Sequence, residues 1–128
     1  MAVILPAIPR GTSRTRLEAY AVQAATLLKA DRDAAVRRRA EVATEVNAPS
    51  RSLRSGVTGL TLRIPQDVHF EAMLASFCNH RAAGATIKFF ASGMSCGGTI
   101  ALRRPDGGFQ IRVNWLTGGI EVVQVKGL

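Results

Sequence analysis

Between Ser13 and Ala40 the chain runs 28 residues without a glycine or a proline, and no later stretch is as long. Alanine, leucine, arginine and glutamate fill it, the residues that lose least on entering a helix. Gly11-Thr12-Ser13 precedes it, a break followed by hydroxyl side chains that satisfy free N–H groups at a helix start. The reading is therefore one long helix over about 13–40. Leu17, Ala21, Ala24, Leu28 and Ala35 recur near helical spacing, with Tyr20, Leu27 and Ala34 beside them. That stripe is expected to lie on a core or a partner. Lys29, Arg32, Asp33, Arg37 and Arg39 fall mostly off it and are expected in water.

The remainder of the chain is punctuated like β-structure. Glu41 to Val46 alternates, and Asn47-Ala48-Pro49-Ser50 turns the chain. Ser52 to Ile64 holds one or two short strands broken at Gly56 and Gly59. Beyond Pro65-Gln66-Asp67, alternation puts Val68, Phe70, Ala72 and Leu74 on one face. Phe77 to Gly84 is a polar loop. Ile87 to Phe90 then leads through Ser92-Gly93-Met94-Ser95-Cys96-Gly97-Gly98 into Thr99 to Arg103, read as hairpin-linked strands. Pro105-Asp106-Gly107-Gly108 supplies a tight hairpin turn. Phe109, Ile111, Val113 and Trp115 share the next strand's inner face, and Thr117-Gly118-Gly119 turns into Ile120 to Val123. A helix first and strands afterwards implies an α+β fold: one long N-terminal α-helix packed on antiparallel β-sheet of six to eight short strands. The 128 residues suit a single domain over 13–128, with the sheet region over about 41–126.

Reactive groups are not gathered anywhere. The nine acidic residues are scattered, and Asp31 and Asp33, two apart, fall on different helix faces. Cys78 and His80 lack the third and fourth groups that a nucleophilic or metal site needs. Ser95 has no G-x-S-x-G frame, and Gly97-Gly98 enters a strand where a phosphate loop would enter a helix. This is the pattern of a protein that is not an enzyme and holds no cofactor or metal. The net charge of +8 and pI of about 11.0 favour acidic partners such as nucleic acid, anionic lipid or an acidic protein face. Arg37-Arg38-Arg39 fans across roughly 200 degrees of a helix, so it grips no single phosphate track. Cys78 and Cys96 are too few for a disulfide framework. Either they form one bridge in an oxidising compartment or they are independent small residues. Ala2 to Pro9 is too short to cross a bilayer, which takes about 20 apolar residues, and does not read as a secretory signal.

The combination of Phe89-Phe90, Gly93-x-Ser95-x-Gly97-Gly98 and Trp115-Leu116-Thr117-Gly118 resembles the C-terminal sheet of the H-type minor pseudopilins of type II secretion systems. The likeness extends over Leu5-Pro6-Ala7-Ile8-Pro9, Arg16 to Ala21, Leu27 to Arg38 and Leu62 to Val68. In that family an apolar N-terminal helix anchors the protein in the inner membrane and the domain stands in the periplasm. Residues 1–12 then read as the exit from that helix, and the family's glycine-Phe-Thr-glutamate processing signature is not present. Ala91-Ser92-Gly93 stands where Pro-Asp-Gly is common.

The resemblance implies a structural component of the pseudopilus tip that assists export of folded proteins. Its partners would be other minor and major pseudopilins and the secreted proteins themselves. Leu5, Ile8, Leu17 and Tyr20 are the expected helix–helix contacts, a core role for Leu17 and Tyr20 being the alternative. Ser95, Gly97, Gly98, Trp115, Leu116, Thr117 and Gly118 form the structural motif. The competing reading is a type IV pilus minor pilin that binds DNA for uptake, which the basic charge favours.

Overall fold

The computed structural model describes residues 11–128. Helix α1 (Arg14–Arg38) starts where Ser13 accepts a hydrogen bond from the Arg16 N–H at 3.2 Å. It ends at Arg39, whose left-handed φ of 52° cannot continue a helix. The N–H groups of Arg39 and Ala40 turn back to the carbonyls of Val36 and Ala35, a Schellman closure, and Arg37 and Arg38 complement the dipole.

Ten strands come after it: β1 (Val42–Asn47), β2 (Ser52–Arg54), β3 (Thr61–Arg63), β4 (His69–Leu74), β5 (Phe77–Cys78), β6 (Arg81–Ala82), β7 (Thr86–Phe89), β8 (Gly98–Arg104), β9 (Gly107–Val113) and β10 (Ile120–Val125). They exceed the six to eight expected because β5 and β6 pair as a two-residue hairpin inside the supposed polar loop. One antiparallel sheet has the order β3-β2-β1-β7 and the other β10-β9-β8-β4. The helix packs against β1 and β7 of the first and β9 and β10 of the second.

This topology corrects one expectation. β7 does not form a hairpin with β8. It pairs with β1, matching Val42 to Phe89 and Thr44 to Ile87, and the glycine-serine loop carries the chain from one sheet to the other. Turn residues signal a reversal but not which strand receives the chain afterwards.

The core lies where the sheets meet the helix. Leu17, Leu28, Leu53, Val68, Ile87, Phe89, Ile100, Leu102 and Ile111 are fully buried. Phe70 is buried and Ala72 and Leu74 are partly covered, on the β4 face that alternation assigned to them.

Within this core sits one carboxylate. Asp31 is 0% exposed and accepts from the Thr44 hydroxyl at 2.6 Å, the Ser55 hydroxyl at 2.6 Å and the Gly56 N–H at 2.9 Å. It ties α1 to β1 and to the turn after β2. Asp31 and Asp33 lie on different faces of the helix, Asp33 exposed and Asp31 within the buried stripe.

Asp67 makes a second tie. It accepts from the Thr12 N–H at 2.5 Å and the Thr12 hydroxyl at 2.9 Å, with Arg104 Nη1 3.4 Å away. These contacts, the Thr12 N–H first, lower the Asp67 carboxyl below its ordinary range against the opposing effect of burial. A depressed carboxylate pKa contributes stability above the unfolded value, lost as pH falls through the folded one. Asp67→Asn is therefore expected to lower the urea midpoint at pH 7 and to make stability less steep below about pH 4. Parallel acid limbs for both proteins in a pH 2–7 titration would contradict this.

Candidate functional site

The three sequence segments that carried the resemblance converge near the C-terminal end of α1. Arg32 reaches out from the helix; its Nε donates to the Gly93 carbonyl at 3.2 Å and its Nη2 to the Thr117 carbonyl at 3.1 Å. One guanidinium thus bridges the loop after β7 and the turn after β9. Its planar fork suits two carbonyls at fixed separation. Arg32 is therefore half-buried and engaged, not solvated as its place off the apolar stripe suggested.

Ser95 works from below. Its hydroxyl donates to the Lys88 carbonyl at 2.6 Å and accepts from the Gly97 N–H at 3.0 Å, while its N–H donates to the Trp115 carbonyl at 3.1 Å. Gly97 has φ of 78°, a left-handed value that glycine adopts freely.

The turn after β9 is built by Asn114, whose Oδ1 accepts from the N–H groups of Leu116 and Thr117 at 2.8 and 3.1 Å. This Asx turn ends the strand at Val113, two residues before Trp115 could join the inner face. Trp115 is 62% exposed, a correction to its expected place beside Phe109, Ile111 and Val113. Leu116, Met94 and Val36 are exposed around the same loops. Large apolar side chains grouped on a surface mark a place where a partner can be bound.

The β5–β6 hairpin is fastened to this cluster by a disulfide between Cys78 and Cys96, with Cα atoms 5.8 Å apart. Cys78 is thus neither nucleophile nor metal ligand, and His80 occupies a left-handed turn position beside it. The bridge closes a span of 18 residues around a hairpin with only two ladder pairs. Replacing both cysteines by alanine is expected to cost about 3 kcal/mol, from the lost restriction on the unfolded chain. Equal urea midpoints with and without reductant would show that the bridge contributes nothing.

Of the expected helix contacts, Leu5 and Ile8 lie outside the described residues. Leu17 is 1% exposed and packs into the protein's own core, so it offers no surface to a partner helix. Tyr20 is half-buried against the core edge. His69 is exposed and bonded to Glu71 Oε1 at 2.7 Å. Among the described residues no group of three His, Cys, Asp or Glu side chains converges, and no helix is long and apolar enough to cross a membrane.

Comparison with solved structures places this architecture. The minor pseudopilin EpsH of the Vibrio cholerae type II secretion system superposes with a TM-score of 0.65 at 10% identity, covering 84% of this chain and 96% of that one. The fold is that of a minor pilin. A second EpsH structure gives a TM-score of 0.64 over 88% of this chain. The type IV minor pilin FimU of Pseudomonas aeruginosa gives 0.60 at 18% identity, covering 86% and 90%. No family model matches the sequence, and no curated protein matches it. The minor-pilin fold is thus carried by structure where sequence identity is low. Its loop cluster is held here by Arg32, the Asn114 turn and the disulfide.

Proposed function

We propose that this chain is a minor pseudopilin, a non-catalytic subunit of a type II secretion pseudopilus tip, with its domain in the periplasm and its full-length form anchored in the inner membrane. The supporting observation is the fold match to EpsH across nearly the whole length of both chains. Function in such a protein resides in surfaces that bind other subunits. The surfaces that fit are the exposed Trp115-Leu116-Met94 cluster and the flank of α1 beside Tyr20, and the resemblance adds Leu5 and Ile8 as partner contacts. Arg32 and the disulfide would fix the cluster in shape before a partner arrives, which reduces the ordering cost of association.

A DNA-binding type IV minor pilin is the second reading, favoured by the +8 charge and by the likeness to FimU. The arginines are partly spent inside the fold, however. Arg32 and Arg51 donate to carbonyls, and Arg104 binds Asp67.

Deleting the gene in its host, with plasmid-borne wild type as control, separates the two. Retention of exoproteins in the periplasm with normal DNA uptake supports the pseudopilin. Lost uptake with normal secretion overturns it. In vitro, the domain is expected to capture another minor pseudopilin domain from its own genome, and a Trp115→Ser, Leu116→Ser double variant to lose that partner while melting normally. The exposed positions of both residues make this a cleaner probe than Leu17, whose substitution would disturb the core.

A further inference from the structure

The first sheet stops one strand short of the helix flank that it could cover. A trough of about 490 Å³ lies between α1 and β3, walled by Val22, Thr26, Leu27 and Ala30 on one side and by Leu60 and Leu62 on the other. Among the described residues no charged one lines it, in a chain where a fifth of all residues are charged. Leu60 is 70% exposed and Val22 is half-exposed, so apolar surface faces water along the whole trough.

The β3 wall also presents unpaired main chain. In the β2–β3 ladder Leu60 and Ile64 bond inward, through Ser55 N–H to Leu60 O and Ile64 N–H to Arg51 O. Main-chain groups alternate in direction along an antiparallel strand, so those of Thr61 and Arg63 point away from β2. Among the described residues none bonds to them. Thr61 and Arg63 share the outer face with Ser52 and Arg54, their cross-strand partners, while Leu62 faces inward opposite Leu53. Arg54 and Arg63 are exposed and have no carboxylate within ion-pair distance among the described residues.

We propose that β3 takes up an extended segment of a partner polypeptide as a further strand, one that is apolar at alternate positions and acidic at those between. Such a strand satisfies the free groups of Thr61 and Arg63. Its inward side chains fill the trough over Val22, Thr26 and Leu62, and its outward carboxylates meet Arg63 and Arg54. A helix laid in the trough would satisfy its own main chain and leave those of β3 unpaired. A second copy of this chain fits poorly. Both copies are strongly basic, and the alternating edge strand β10 already turns Ile120 and Val122 toward its own core. The inference stands on β3 and its flank alone, so it succeeds or fails independently of which assembly the protein serves.

The probe is an acetylated nine-residue peptide alternating valine and glutamate, titrated into the whole domain, with a valine–lysine peptide as control. The expected result is binding of the glutamate peptide on the order of tenfold tighter than the lysine peptide. Amide exchange at Thr61 and Arg63 should slow on binding. Thr61→Pro removes an N–H that makes no internal bond, a change an edge strand accommodates, and is expected to abolish binding. Val22→Glu, on the exposed helix flank, puts a like charge in the trough and is expected to do the same should Thr61→Pro fail to fold. The proposal is overturned by any of four results: no binding of the glutamate peptide, equal binding of both peptides, protection that spares Thr61 and Arg63, or protection of these amides by self-association without peptide.

Discussion

Asp31→Ala is expected to destabilise the protein by roughly 3–5 kcal/mol, near the upper end for a single substitution. The carboxylate takes three hydrogen bonds in a site closed to water: two hydroxyls at 2.6 Å and the Gly56 N–H at 2.9 Å. Removing it leaves Thr44, Ser55 and Gly56 facing a cavity, so the cost is their unmet desolvation as well as the lost bonds. No side chain can step in at Gly56, where a Cβ would sit 2.2 Å from the Ala43 carbonyl oxygen. For a domain of this size the melting temperature should fall by on the order of 10–20 °C. Asp31→Asn keeps the shape and one acceptor oxygen and should cost distinctly less. Adding Thr44→Val to Asp31→Ala should cost little further, because one orphaned hydroxyl is removed with its partner already gone. Urea denaturation of these three variants and of Thr44→Val alone decides the matter, and additive losses would show that Thr44 and Asp31 are not coupled.

The same residue shows what the sequence made legible. The stripe Leu17, Ala21, Ala24, Leu28 and Ala35 is buried as its spacing requires. Asp31 lies seven residues after Ala24 and four before Ala35, so spacing alone places it in that stripe. Its chemistry argues for water and the position decides otherwise, because Thr44 and Ser55 come from strands whose approach to the helix no local pattern reports. Sheet membership is hidden for a related reason. β1 and β7 pair across more than forty residues, and neither strand names the other. A period of two points Trp115 inward, but Asn114 interrupts that period with an Asx turn that the Asn-x-x-Thr/Gly spacing does display. The loop cluster is legible as motif and not as mechanism. The glycines and Trp-Leu-Thr-Gly can be singled out, but the arginine joining them is more than sixty residues away on the helix.

Gly118→Ala is expected to cost roughly 3–4 kcal/mol and to disorder the loop cluster selectively. The φ of 69° at Gly118 is left-handed, which alone costs an L-residue about 1–2 kcal/mol. The larger part is contact. A Cβ at this position would lie 1.8 Å from the Gly93 carbonyl oxygen and 2.8 Å from Arg32 Nε. The first obstacle is main chain and cannot rotate aside, so the two loops must separate. Arg32 spans them, with its Nε on Gly93 and its Nη2 on Thr117, so separation breaks the pair of bonds. The glycine ending Trp-Leu-Thr-Gly is thus required by the close approach of the Ser-x-Gly-Gly loop, and the two motifs are one structural unit. Arg32→Ala should reproduce the local loosening with a smaller loss of global stability, since it removes the tie without forcing the loops apart. Amide exchange is the measurement: both variants should speed exchange at Gly93, Ser95 and Gly118 while the β4–β8 ladder keeps its protection. Uniform acceleration across both sheets would mean that Gly118 governs the global fold instead of this surface. If the cluster is the partner contact, Gly118→Ala should also weaken capture of the partner domain at temperatures where the sheets remain intact.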